Sequence, residues 1–84
     1  MKTVILFRPN SEHARRVQDY LRDFERQTGK KIMQMDVDSV EGIDTCRLYD
    51  IVSYPAILAT DNEGHIQQIW QDNFPTISEL SYYV

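Results

Sequence analysis

Residues 48–60 read LYDIVSYPAILAT, and this stretch decides the fold of the chain. A polar helix end leads into a short turn, then into Tyr54-Pro55, and then into an apolar run. Proline has no amide hydrogen and a fixed φ, so Pro55 is expected at the first residue of a strand rather than inside one. X-Pro bonds are also the only peptide bonds for which the cis form is readily accessible. Pro55 is therefore a candidate for a fixed, cis kink where a strand begins.

The residues upstream of this stretch predict a strand, a helix and a second strand. Residues 4–7 form a continuous apolar run, which is typical of a strand buried on both faces. Ser11 is the expected N-cap of a helix that Gly29 ends. Residues 31–37 alternate between apolar and polar side chains, as in a half-covered edge strand. A strand, a helix and a strand in succession predict a right-handed parallel crossover.

A second, weaker helix is predicted between the crossover and the opening stretch. Asp38 and Glu41 have the spacing of a capping box, and the helix is expected to run to about Tyr49. Gly42 lies inside this segment. Because glycine costs up to about 1 kcal/mol relative to alanine in a helix, the first turn is expected to be irregular.

The segment after Pro55 predicts a hairpin and a closing helix. Residues 56–60 and 65–70 are two strands separated by a polar turn that ends in Gly64, so they are expected to run antiparallel. Thr76 and Glu79 then form a capping box. The order βαβ-α-ββ-α predicts one α/β domain over residues 1–84, with a four-stranded mixed sheet flanked by helices.

This arrangement resembles the thioredoxin-like proteins, and the short N-terminal half is similar to that of glutaredoxins. In that family a CxxC motif opens the first helix. Here Ser11 and Ala14 stand where the two thiols would be, and Cys46 is the chain's single cysteine. Disulfide exchange requires a thiolate. The resemblance therefore implies the fold, and no thiol-disulfide oxidoreductase activity is expected.

The resemblance to glutaredoxins also implies a possible ligand. Glutaredoxins bind glutathione through a basic residue, the backbone before the cis-proline and a glycine-rich turn after the last strand. Arg8 and Tyr54-Pro55 match the first two elements, whereas residues 71–74 (QDNF) do not match the third. Binding of glutathione or another anion at the first helix N-terminus, with or without transferase activity, is the alternative function.

The leading prediction is a protein-binding or adaptor module that uses the groove left at the former redox position. The backbone before Pro55 is expected to be free to pair with an extended peptide by strand addition. The predicted groove residues are Pro9, Asn10, Ser11, Glu12 and His13 on one rim and Ser53, Tyr54 and Pro55 on the other.

Composition limits the other partners. The net charge is -4, with 13 acidic against 9 basic residues, so nucleic acid is not expected. No apolar run approaches the roughly 20 residues of a membrane span. A lone cysteine favours a reducing compartment, and a cytoplasmic location is expected. Neither a cofactor nor a metal is expected, because the spacing of Asp36, Asp38, Glu41 and Asp44 fits no metal-binding motif.

Several chemically capable side chains are assigned structural roles. Ser11 and His13 are two residues apart, so on a helix they would not face each other as a nucleophile and its base. Cys46 is predicted to be a buried small residue. The C-terminal aromatic residues are expected to form core and rim, and any that remain exposed would mark a partner surface. They are Trp70, Phe74, Tyr82 and Tyr83.

Overall fold

The computed structural model describes residues 2–84, and within them the chain forms three helices and four strands. They are β1 (Lys2–Phe7), α1 (Ala14–Thr28), β2 (Met33–Asp36), α2 (Val40–Leu48), β3 (Ala56–Thr60), β4 (Ile66–Gln71) and α3 (Ile77–Ser81). The sheet order is β2-β1-β3-β4. β1 pairs in parallel with β2 and antiparallel with β3, and β3 pairs antiparallel with β4. The predicted mixed sheet and element order are confirmed, including the edge position of β2.

The alternation of side chains along the strands divides the core between the two faces of the sheet. α1 and α3 cover one face, where Phe24 and Leu80 pack against Ile5 and Ile57. α2 covers the other face, where Cys46 belongs to the cluster that contains Leu58. Every residue of β3 is buried, because it lies between two strands and under helices on both sides. This explains why residues 56–60 have no polar alternation.

The prediction that Ser11 caps the first helix is wrong. α1 begins only at Ala14, and its N-cap residue is His13, which makes no side-chain capping bond. Ser11 instead belongs to a tight turn, because its amide and its hydroxyl both donate to the carbonyl of Arg8. Gly29 ends the helix as predicted, with a φ of 73° that suits glycine.

The cap of α2 also differs from the prediction. Ser39, not Asp38, is the N-cap, and its Oγ accepts from the amide of Gly42 at 2.9 Å. Gly42 is buried, and a Cβ at this position would collide with the backbone carbonyl oxygen of Asp36. Glycine therefore lets α2 approach the end of β2 closely. Its helix-weakening effect is secondary to this packing requirement.

α3 is short and is held by a capping box at its start and by one buried side chain. The predicted capping box is confirmed: the Thr76 side chain accepts from the amide of Glu79, and the Glu79 side chain accepts from the amide of Thr76. Leu80 is fully buried on the α1 side of the sheet. No helix within residues 2–84 combines the length and the apolar character needed to cross a membrane.

Candidate functional site

The first rim of the predicted groove is a loop folded back on Arg8. The Nε2 atom of His13 accepts a hydrogen bond from the amide of Arg8 at 3.2 Å, and the Ser11 hydroxyl donates to its carbonyl at 2.6 Å. The His13 ring also meets the ring of Phe7 edge-on, with 6.5 Å between their centroids. The loop is therefore held by its own backbone and by the end of β1.

The second rim is held by a residue that sequence reasoning missed. The side-chain oxygen of Gln71, at the end of β4, accepts from the amides of both Val52 (2.9 Å) and Ser53 (3.1 Å). The Tyr54-Pro55 bond is cis, as the sequence suggested. The Pro55 carbonyl accepts from the amide of Asp72. A glutamine at a strand end gives no sequence signal, because its role depends on a loop nineteen positions away.

Arg8 connects the two rims with the turn that precedes α2. Its Nε and Nη2 atoms donate to the two carboxylate oxygens of Asp38 at 2.8 and 3.1 Å. Its guanidinium carbon lies 6.0 Å from the centroid of the Tyr54 ring. The hydrogen-bonded pair raises the pKa of Arg8 and lowers the pKa of Asp38. Both side chains are at least half exposed, so the pair orients Arg8 more than it stabilises the fold.

Tyr54 has a packed side chain and a free backbone. Its ring packs against the core cluster under α2, which contains Cys46. A hydrogen bond with the Cys46 side chain is the largest cause, and burial the second, of the raised pKa of the Tyr54 hydroxyl. Among residues 2–84, neither the N–H nor the C=O of Tyr54 makes a hydrogen bond. The backbone of Tyr54 is thus unpaired within these residues although its side chain is held in place.

The surroundings of His13 lower its pKa and so favour the neutral ring. Burial is the largest cause of its lowered pKa, and the nearby charges of Arg16 and Arg8 act in the same direction, while Asp72 opposes them. The neutral ring can accept the hydrogen bond from the Arg8 amide, which an imidazolium could not. The role of His13 here is to order the loop.

The structure brings only part of the predicted site into contact. The guanidinium of Arg8 lies near the Tyr54 ring. The charges of Arg8 and Asp72 both act on the ring of His13. Pro9, Asn10 and Glu12 are exposed on the first rim, and Ser53 and Pro55 belong to the second rim. Cavities of about 230, 200 and 160 Å³ are lined by other residues. The exposed part of the predicted groove is therefore its first rim.

The chemically capable side chains near and beyond the groove already have partners. The Ser11 hydroxyl donates to the carbonyl of Arg8, while the Nε2 of His13 accepts from the Arg8 amide, so these two side chains bond to the backbone and not to each other. Cys46 is only 7% exposed and lies in the core, as predicted. Asp61, Glu63 and His65 place three possible metal-ligand atoms within 4.8 Å in the hairpin turn. However, one Asp61 oxygen already accepts two backbone amides, and the other lies 3.1 Å from the His65 ring.

Comparison with known proteins gives the class of fold. No protein-family model and no curated protein matches the chain. Among solved structures, the chain is similar to thioredoxin 1 from the thermophilic eubacterium Thermosipho africanus TCF52B, with a TM-score of 0.69. The match covers 99% of this chain and 93% of that chain, at 15% identity. The chain therefore has a thioredoxin-like fold, as predicted, and the likeness extends to the fold alone.

Proposed function

We propose that this thioredoxin-like domain is a redox-inactive binding module that holds an extended segment of a partner protein beside Tyr54. The observation that carries the proposal is the unpaired backbone of Tyr54, close to Arg8 and the exposed first rim. An extended peptide satisfies such groups by pairing its own N–H and C=O with them, as in strand addition. The Gln71 side chain holds the loop in advance, so little ordering free energy is lost on binding.

The Tyr54 ring is the expected anchor for the partner's side chains. Tyrosine offers a large amphipathic surface at a low cost in conformational entropy. Its contact with the core and with Arg8 fixes its position before binding. Truncation of such an anchor typically costs about 2 kcal/mol or more, which corresponds to a loss of roughly thirtyfold in affinity.

The alternative, binding of glutathione or another small anion, has weaker support. Arg8 is the basic residue that would meet a carboxylate, and it already forms a two-point ion pair with Asp38. The turn after β4 contains Asp72, whose φ of 63° is one that glycine adopts readily, but whose side chain brings a negative charge. An enclosed pocket would favour a small molecule. The exposed first rim, with Pro9, Asn10 and Glu12, favours an extended chain.

The test uses peptides selected from a random library on the wild-type protein. We expect binding to shift the backbone amide resonance of Tyr54 and those of residues 9–13. Tyr54→Ala should weaken the peptide by about thirtyfold. Tyr49→Ala is the matched control, because Tyr49 packs against the same core cluster outside the groove. Tyr49→Ala should lose about as much stability as Tyr54→Ala but should keep the wild-type affinity for the peptide.

Two results would contradict the proposal. Resonance shifts confined to the outer face of α1, around Arg15, Asp19 and Arg26, would place the binding surface elsewhere. Shifts of the groove resonances by glutathione alone, abolished by Arg8→Ala, would support the small-anion alternative instead.

A further inference from the structure

The C-terminal aromatic residues line a second concave surface, which shares no residue with the groove. It is a cleft of about 230 Å³ between β4 and the end of α3, here called the aromatic cleft. Its volume is below the roughly 300 Å³ at which sites for drug-sized ligands begin, so it suits a small chemical group. Its lining residues are Gln68, Trp70, Glu79, Tyr82 and Tyr83.

Three aromatic rings line this cleft, and the Tyr83 ring makes an edge-to-face contact with each of the other two. The Trp70 and Tyr83 centroids are 5.5 Å apart with an angle of 75° between the rings, and those of Tyr82 and Tyr83 are 5.2 Å apart at 80°. The Thr3 hydroxyl donates to the Tyr83 carbonyl at 3.1 Å, which fixes Tyr83 to β1. The faces of aromatic rings carry partial negative charge. The cleft is therefore lined by aromatic surface, and a ring face that is not covered by the edge of its neighbour would attract a cation.

The charges at the cleft favour the same kind of ligand. Glu79 is the one charged lining residue, and it is acidic. Its Oε1 accepts from the amide and hydroxyl of Thr76. Its Oε2 makes no hydrogen bond within residues 2–84, so one carboxylate oxygen remains available. An anion would be repelled by this carboxylate and by the ring faces.

We propose that the aromatic cleft binds a small cation that carries a trimethylammonium group, such as choline. The methyl groups supply apolar surface to the rings, and the positive charge is spread over them, so contact with the aromatic faces does not require removing a tightly held hydration shell. A primary ammonium is a compact and strongly hydrated charge, which fits this environment less well. Glu79, as an acidic lining residue, adds electrostatic attraction for the cation.

Trp70 provides the readout, because it is the only tryptophan in the chain. The full chain is titrated with choline chloride while Trp70 fluorescence is recorded, with sodium chloride as the control for ionic strength. A parallel titration uses the neutral alcohol in which a carbon atom replaces the nitrogen of choline. We expect a saturable change with choline, and an affinity for choline at least about fivefold higher than for the alcohol.

Variants at Tyr82 test whether the ring itself binds the cation. Tyr82 is 77% exposed, so its truncation does not remove core packing. Tyr82→Ala should weaken choline at least about fivefold, whereas Tyr82→Phe, which keeps the ring, should stay within about twofold of the wild type. Leu48→Ala is the matched control: it truncates another exposed apolar side chain, 74% exposed, on α2. It should leave choline binding unchanged.

Each other outcome would overturn the proposal. Equal affinity for choline and the neutral alcohol would show an apolar cleft without selectivity for charge. Absence of a saturable change in fluorescence would show that the cleft does not bind the cation. An equal loss in Tyr82→Ala and Leu48→Ala would show non-specific association with exposed apolar surface.

Discussion

Gly42 is the residue that lets α2 pack against the end of β2. It is buried, and the atom nearest to a Cβ built there is the backbone carbonyl oxygen of Asp36. A backbone atom cannot rotate out of the way as a flexible side chain can. The need for close approach therefore outweighs the roughly 1 kcal/mol by which alanine is normally the better helix former.

We expect Gly42→Ala to destabilise the protein by about 1–3 kcal/mol, in the range of overpacked cores. Urea unfolding followed by circular dichroism gives the free energy of unfolding. Asp44→Ala is the control, because Asp44 is exposed in the same helix and its replacement should change stability by no more than about 0.5 kcal/mol. If Gly42→Ala were as stable as the wild type, α2 would not approach β2 as closely as described.

His13 makes stability depend on pH. Burial lowers its pKa below the ordinary value of 6.5, so the unfolded chain takes up the proton more readily than the folded chain. Its contribution to stability is therefore fully present above about pH 6.5 and is lost as the pH falls through the folded-state pKa.

We expect the wild type to lose more unfolding free energy than His13→Gln between pH 7.5 and pH 5.5, because glutamine keeps an acceptor for the Arg8 amide but does not titrate. Unfolding curves at both values of pH measure this difference. NMR titration of the His13 ring, assigned with the same variant, should give a pKa below 6.5. A pKa above that value would contradict the lowered pKa inferred from the surroundings of His13.

At the scale of elements, the start of α2 shows how neighbouring residues divide two roles. Asp38 and Ser39 are both good N-caps by residue type. Ser39 takes the cap, with its Oγ accepting from the Gly42 amide and donating to the Asp36 carbonyl. The Asp38 carboxylate instead accepts a hydrogen bond from the side chain of Arg8, which follows β1. The same short segment therefore begins a helix and orients a residue of the candidate site.

This division predicts unequal effects on stability. Ser39→Ala should cost about 1 kcal/mol, the usual loss for an N-cap. Asp38→Ala should cost less, because the cap remains and the ion pair with Arg8 is half exposed. Thermal unfolding of the two variants side by side measures the order. The reverse order would identify Asp38 as the cap.

At the scale of the whole molecule, the thioredoxin-like fold forms in a chain that has no CxxC motif. The fold is held by apolar strands and by helix faces on both sides of the sheet, and none of these contacts requires the CxxC motif. The single cysteine is part of that packing, since Cys46 is buried under α2.

We therefore expect the purified protein to reduce neither insulin disulfides nor a glutathione mixed disulfide, because no thiolate is exposed to attack them. An insulin turbidity assay and a coupled glutathione assay provide the measurements, and an active glutaredoxin serves as the positive control. Turnover that Cys46→Ser abolishes would overturn this expectation.

The sequence by itself determined the architecture, because the signals involved are local. These local signals are the apolar run after Pro55, the polar hairpin turn ending in Gly64, the helix stop at Gly29 and the capping box at Thr76, each of which depends on residues only a few positions apart. Together they predicted the order of elements, the mixed sheet and the cis bond at Pro55, and the structure has all three.

Only the tertiary structure decided how the loops and caps are used, because those roles depend on partners distant in the chain. The Arg8 side chain forms its ion pair with Asp38, thirty positions away in the chain. The Gln71 side chain accepts hydrogen bonds from the amides of Val52 and Ser53. Gly42 is needed where α2 packs against the end of β2, because a Cβ there would collide with the backbone of Asp36. Sequence patterns describe what a residue can do with its neighbours, whereas the folded chain sets which distant polar groups come within hydrogen-bonding distance and which atoms leave no room for a side chain.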